Sequence, residues 1–276
     1  VGGCTPQAAI DLWCAGRDDA ALQPERLLRS LAAKSLLQVE TTPHGDKRLQ
    51  LLQSVRDYAR ERLIEAGELD TTCARHSEMM LRFVKDMAPR LLEEQGSRWL
   101  KRVHREWDNF NAALEWEYEQ GAWQTMATLL LALNTPFEGS ARQNEYFAWC
   151  ARLLPHVDTL APDVQAILKL NFCFGAHTGE MAERRKEILE DYHNLVEQCE
   201  GPLVKATLLT WGADLGVQFP DPLAAKMQAI ELARSAEITD ESQLIYGIEN
   251  TQAPVLGKAL FMVGCNLYSI GCTTEA

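Results

Sequence analysis

The sequence predicts a mainly α chain with one short β-hairpin near its start, and three observations carry that expectation. Between Pro24 and Ala66 a helix, a strand, a turn, a strand and another helix follow one another. From Asp70 onward no alternating strand pattern survives, and apolar residues recur at steps of three and four. Beyond Pro155, apolar and charged helical patterns alternate at offsets of about 40 residues.

The first helix is expected over Pro6–Ala15, with Thr5 as its cap and Pro6 at its first position. A polar loop, Gly16–Leu22, leads to a second helix from Pro24, apolar at Leu27, Leu28, Leu31 and Ala32. Ser35–Thr41 reads as a strand, Thr42–Asp46 as a hairpin turn and Lys47–Leu52 as the return strand. Ser54 is expected to cap the next helix, which turns Val55, Tyr58, Ala59, Leu63 and Ile64 inward and stops at Gly67. This order is the outline of a winged helix, placed at residues 1–69. Further helices are expected near 70–93, 97–120, 121–133 and 140–154, a helical bundle over 70–155. The second carries a clean stripe of Leu100, Val103, Trp107, Phe110 and Leu114. Over 156–276, Pro162–Ala176 and Leu203–Gly216 read as small-residue apolar helices. Met181–Cys199 and Pro222–Ala236 read as charged partners, and Val255–Ile270 opens a third unit. Such a pattern signals an α-solenoid of tetratricopeptide-like (TPR-like) helix pairs.

Composition narrows the function. Hydrophobic residues make up 46% of 276, enough for a real core, and the net charge is −12. Residues 162–276 hold 8 basic and 16 acidic side chains, an acidic, solvated body unsuited to phosphate. Eight scattered cysteines with no CxxC pair read as reduced, buried thiols of a cytoplasmic protein. No apolar run reaches the roughly 18 residues of a membrane span. GxSxG and GxxxxGK[ST] are both absent, so the expectation is a non-enzyme that does not itself hydrolyse ATP. Cys73/His76, Cys173/His177 and Glu190/His193 have helical spacing, but no second pair completes the four ligands that zinc needs, and no metal is expected. Arg26, Arg29, Lys34, Lys47 and Arg48 could touch phosphates. Residues 1–70 are nevertheless net negative, which argues against DNA as a partner of this segment. Trp99, Trp107, Phe110, Trp116 and Trp123 read as helix-packing core. A small-molecule or peptide effector is placed on the repeats, at Phe172, Phe174, His177, Trp211, Asp214 and Gln218, since stacked helix pairs form a concave face.

Four segments resemble one family. VGGCTPQAAIDLWCAG (1–16), LLRSLAAKSLLQVE (27–40), LLQSVRDYARERLIEAGE (51–68) and SRWLKRVHREWDNFNAALEWEYEQG (97–121) are together similar to bacterial STAND-type signalling ATPases that regulate transcription. The resemblance implies a segment that follows a P-loop ATPase module. ATP or ADP and Mg would be held only in that upstream module, and the winged helix would dock on it and report its nucleotide state. Arg56, Arg60 and Arg62 form the candidate docking face. Where some relatives carry a His-Asp pair that contacts the ADP phosphate, this chain has Leu52 and Gln53, and leucine has no hydrogen-bond donor. The implied role is an effector-sensing regulatory and protein-interaction module of such an ATPase. The alternatives are a protein–protein scaffold without small-molecule sensing, or a DNA-contacting winged helix.

Overall fold

The computed structural model describes residues 2–15, 23–41, 46–87, 96–137, 140–176, 179–236 and 260. Among them lie thirteen α-helices, one 3-10 helix and one two-stranded antiparallel sheet, so the chain is mainly α with a small early hairpin. It divides into two compact units. One is built from the described residues of Val1–Phe83 and Lys101–Gly121, the other from those of Val84–Leu100 and Ala122–Ala276.

In the first unit, α1 (Pro6–Cys14) begins as its local chemistry dictates. Thr5 Oγ1 accepts the Ala8 N–H at 3.1 Å, and Pro6 sits where a missing N–H costs nothing. Then come α2 (Pro24–Ala33), β1 (Leu37–Thr41) and β2 (Lys47–Leu51), with Leu37 opposite Leu51 and Thr41 opposite Lys47. Of the expected turn Thr42–Asp46, residues 42–45 lie outside the described residues. Leu37 and Leu49 are the buried positions of the hairpin.

The next helix, α3 (Gln53–Glu65), departs from expectation in two ways. Its cap position is Leu52, which offers no side-chain acceptor, and Ser54 lies two residues too late to cap it. Of the residues expected inward, Val55, Ala59 and Leu63 are half-buried, while Tyr58 and Ile64 are 59% and 54% exposed. The helix does end as expected, with Gly67 at φ +68° supplying the left-handed residue that follows many helices.

The helix expected over 97–120 is two helices. Following α4 (Leu69–Met87), α5 (Gly96–Arg105) and α6 (Trp107–Glu119) break at Glu106. The apolar stripe survives the break, with Val103, Trp107, Phe110 and Leu114 all buried. Phe83 meets Phe110 edge-on at 5.8 Å, and the Ser77 hydroxyl donates to the buried Glu117 carboxylate. Burying a side chain of Phe110's size stabilises by about 1.5–3 kcal/mol relative to exposure.

In the second unit, α7 (Trp123–Phe137), α8 (Gln143–Leu153) and a 3-10 helix (Leu154–Thr159) lead to α9 (Pro162–Gly175). Trp123 stacks on His156 at 3.7 Å. The helix expected over Met181–Cys199 is α10 (Gly179–Glu190) plus α11 (Tyr192–Gln198). Then α12 (Pro202–Gly212) stops four residues earlier than expected, and α13 (Pro222–Ser235) follows with Asp221 capping Ala224 N–H at 2.9 Å. Val255–Ile270 lies outside the described residues apart from Leu260. At the centre, α9 packs against α7, α8, α10, α11 and α12, and α12 against α13.

Two polar ties fix α9 beside α12. At one end the Asp163 carboxylate accepts the N–H groups of Glu200 and Gly201 at 2.9 and 3.0 Å. At the other, Arg185 donates from Nε to Cys173 O at 2.8 Å and from Nη2 to Leu215 O at 3.3 Å. Close approach also needs glycine. A Cβ on Gly175 would stand 2.1 Å from the Phe147 ring, and one on Gly212 2.7 Å from Tyr192.

Candidate functional site

The most concentrated polar chemistry among the described residues is a corner of the first unit, where three distant stretches meet. Arg48, from β2, turns its guanidinium inward and is only 11% exposed. Its Nη1 donates to Glu106 Oε1 at 2.6 Å and its Nη2 to Oε2 at 3.3 Å. The same Nη2 donates to the carbonyls of Gly2, Gly3 and Arg105 at 2.9, 3.0 and 3.0 Å, and Nε reaches Gly2 O at 3.2 Å. Asn109, 3% exposed, completes the circuit. Its Nδ2 donates to Gly3 O at 2.8 Å and to Glu106, and its Oδ1 accepts Gly2 N–H at 3.2 Å.

The backbone explains why these residues meet. Cys4 pairs with Leu49 through two bonds, N–H to O at 3.0 Å and O to N–H at 2.7 Å, so residues 2–4 lie along the edge of β2. Gly3 has φ +79°, and a Cβ there would come within 2.7 Å of Leu49 O. A Cβ on Gly2 would come within 2.8 Å of the Asp108 side chain. The break between α5 and α6 frees the Arg105 carbonyl and points it at Arg48. A planar guanidinium fork suits this crowd of acceptors better than an ammonium would.

His76 lies beside the corner. Burial pushes its pKa down to about 4, against the opposing pull of Glu106 and Asn109. Three other buried groups are inert by the same physics. Burial pushes Cys150, Cys173 and Cys199 up to about 12, which keeps them as thiols.

The residues singled out from sequence are dispersed. Among the five candidate phosphate contacts, Arg48 is committed to the corner, while Arg26 and Arg29 reach Gln23 and Glu25 O on their own helix. Arg56 is half-buried with Nη2 3.5 Å from Leu51 O, and Arg60 is exposed. Arg62 pairs with Glu65 and lies 5.5 Å over the Tyr58 ring, on a side of α3 away from Arg56 and Arg60. Leu52 is 44% exposed and its side chain has no donor, and Gln53 Nε2 donates to Asp57 at 2.8 Å. In the second unit, Phe174 meets Trp211 edge-on at 5.7 Å, and Phe172 is buried in the core. Asp214 and Gln218 are exposed but lie beyond the end of α12 rather than on it, and His177 lies outside the described residues.

Sequence reasoning missed the role of Glu106 and Asn109, although a signal was present. Both sit within the apolar stripe, flanking Trp107, and a polar residue buried among apolar ones needs a partner. Among the described residues no three His, Cys, Asp or Glu side chains gather to hold a metal ion, and no helix is long and apolar enough to cross a membrane.

No protein-family model matches the chain, and no solved structure matches it. Curated proteins do. The chain is 26% identical over 269 residues to proteins of Mycobacterium bovis and of two strains of Mycobacterium tuberculosis, H37Rv and CDC 1551, each named "Putative HTH-type transcriptional regulator". The match covers 98% of this chain and 25% of each relative, so the chain spans about a quarter of the length of the curated proteins it resembles.

Proposed function

We propose that this chain is a regulatory and protein-interaction segment of a larger transcription-controlling protein, acting through binding and conformation rather than catalysis. The observation that carries the reading is the extent of the match. It runs nearly end to end through both units, yet fills only a quarter of each named regulator. In the finer form of this reading, the first unit is a winged helix, supported by the order α2, β1, β2, α3. It docks on an upstream signalling ATPase of the same chain. The ATP or ADP and Mg belong to that upstream module. Arg56 and Arg60, with the exposed Leu52 and Ile64, would supply the docking face. The second unit is an array of TPR-like helix pairs, supported by the packing of α9 on α12 and of α12 on α13. A small-molecule or peptide effector would bind beside Phe174 and Trp211. Effector binding shifts the docking equilibrium only as far as it favours one arrangement over the other.

The direct test is calorimetric titration of this chain with the preceding portion of its own gene product, loaded with ADP or with ATP. Binding that differs between the two nucleotides is expected. Absence of binding in both, together with no GxxxxGK[ST] upstream of residue 1, would sink the ATPase reading.

A further inference from the structure

We propose that residues 2–4 are a releasable strap, closed along the edge of β2 and latched to the start of α6 by Arg48. The proposal deepens the regulatory reading above by naming a moving part, but it is testable on this chain alone.

The strap is held by polar contacts with little apolar anchoring. Gly2 and Gly3 bring no side chains, and Cys4 is only half-buried. The helix that follows, α1, contains no fully buried residue. Segments that bury few apolar groups occupy the low-stability end of local opening. The latch itself is all-or-none. One guanidinium serves two glycine carbonyls, the Arg105 carbonyl and both oxygens of Glu106, and Asn109 also donates to Gly3 O and Glu106 and accepts the Gly2 N–H. A half-open latch would leave buried acceptors unpaired, so intermediate positions are disfavoured. A buried ion pair adds little net stability compared with its cost when broken, and its best-attested use is to select one arrangement over another. Release would also free the N–H and carbonyl of Leu49 on the strand edge, which Cys4 now occupies. The left-handed Gly3 would then regain its freedom.

Hydrogen exchange read by mass on the chain as it stands tests the idea, comparing it with Arg48→Lys and Glu106→Gln. Arg48→Lys keeps the charge but loses the fork, so it preserves the fold while weakening the latch. The expected result is exchange about tenfold faster in peptides spanning residues 2–15 and 46–51, with α4 and α6 unchanged. Alkylation of Cys4 should rise in the same variants. Acceleration in step across α4 and α6 would overturn the proposal, because the corner would then be an ordinary part of the core. Unchanged exchange in both variants would overturn it as well.

Discussion

Arg48 and His76 show what burial does to two cationic side-chain types. Around the Arg48 guanidinium, Glu106 and four carbonyl contacts take the place of water. His76 gives its charge up, its pKa pushed down to about 4 by burial. The unfolded chain takes up a proton near pH 6.5 that the folded chain refuses until about pH 4. The stability tied to His76 is therefore complete above pH 6.5 and is lost as pH falls toward 4. After discounting for partial solvent access, the loss should be on the order of 2 kcal/mol. Urea titrations from pH 7 to 4 should show this slope in the wild type and a shallower one in His76→Gln. Equal slopes would mean that His76 does not set the acid sensitivity.

The elements differ in how far they could be read from sequence, and the difference is one of range. Starts at Pro6, Pro24, Pro162 and Pro222 are set within one turn by proline, helped at Pro6 and Pro222 by the capping side chains of Thr5 and Asp221, so they were legible. The start at Ser54 was misread because serine chemistry suits a cap wherever it stands, and α3 begins two residues sooner, directly after Leu52. The break at Glu106 could not be read locally, since a partner 58 residues away, Arg48, claims the Glu106 carboxylate. The same distance hid the corner: its residues were visible in separate motifs, but nothing in their spacing says that they meet. Thr5→Ala should lower stability by about 1 kcal/mol, whereas Ser54→Ala should stay within about 0.5 kcal/mol. Thermal or chemical denaturation would distinguish the two, and a larger loss at Ser54 would contradict the cap geometry described here.

At the scale of the molecule, each unit has its own core and its own glycine-dependent close approach. Gly3 needs φ +79° against the Leu49 carbonyl, and Gly175 lies against Phe147. Alanine at either position should destabilise by about 1–3 kcal/mol. Because the two residues belong to different units, the losses in Gly3→Ala/Gly175→Ala should add to within about 0.5 kcal/mol. Coupling well above that would mean a shared network spans both units. The bonds from Asp163 and Arg185 have a mechanical consequence of their own. With one pin at each end, α9 and α12 behave like the arms of a parallel ruler. Slippage by a single turn, about 5.4 Å, would tear both pins at once. The pair can therefore tilt or roll as a unit far more readily than it can shear.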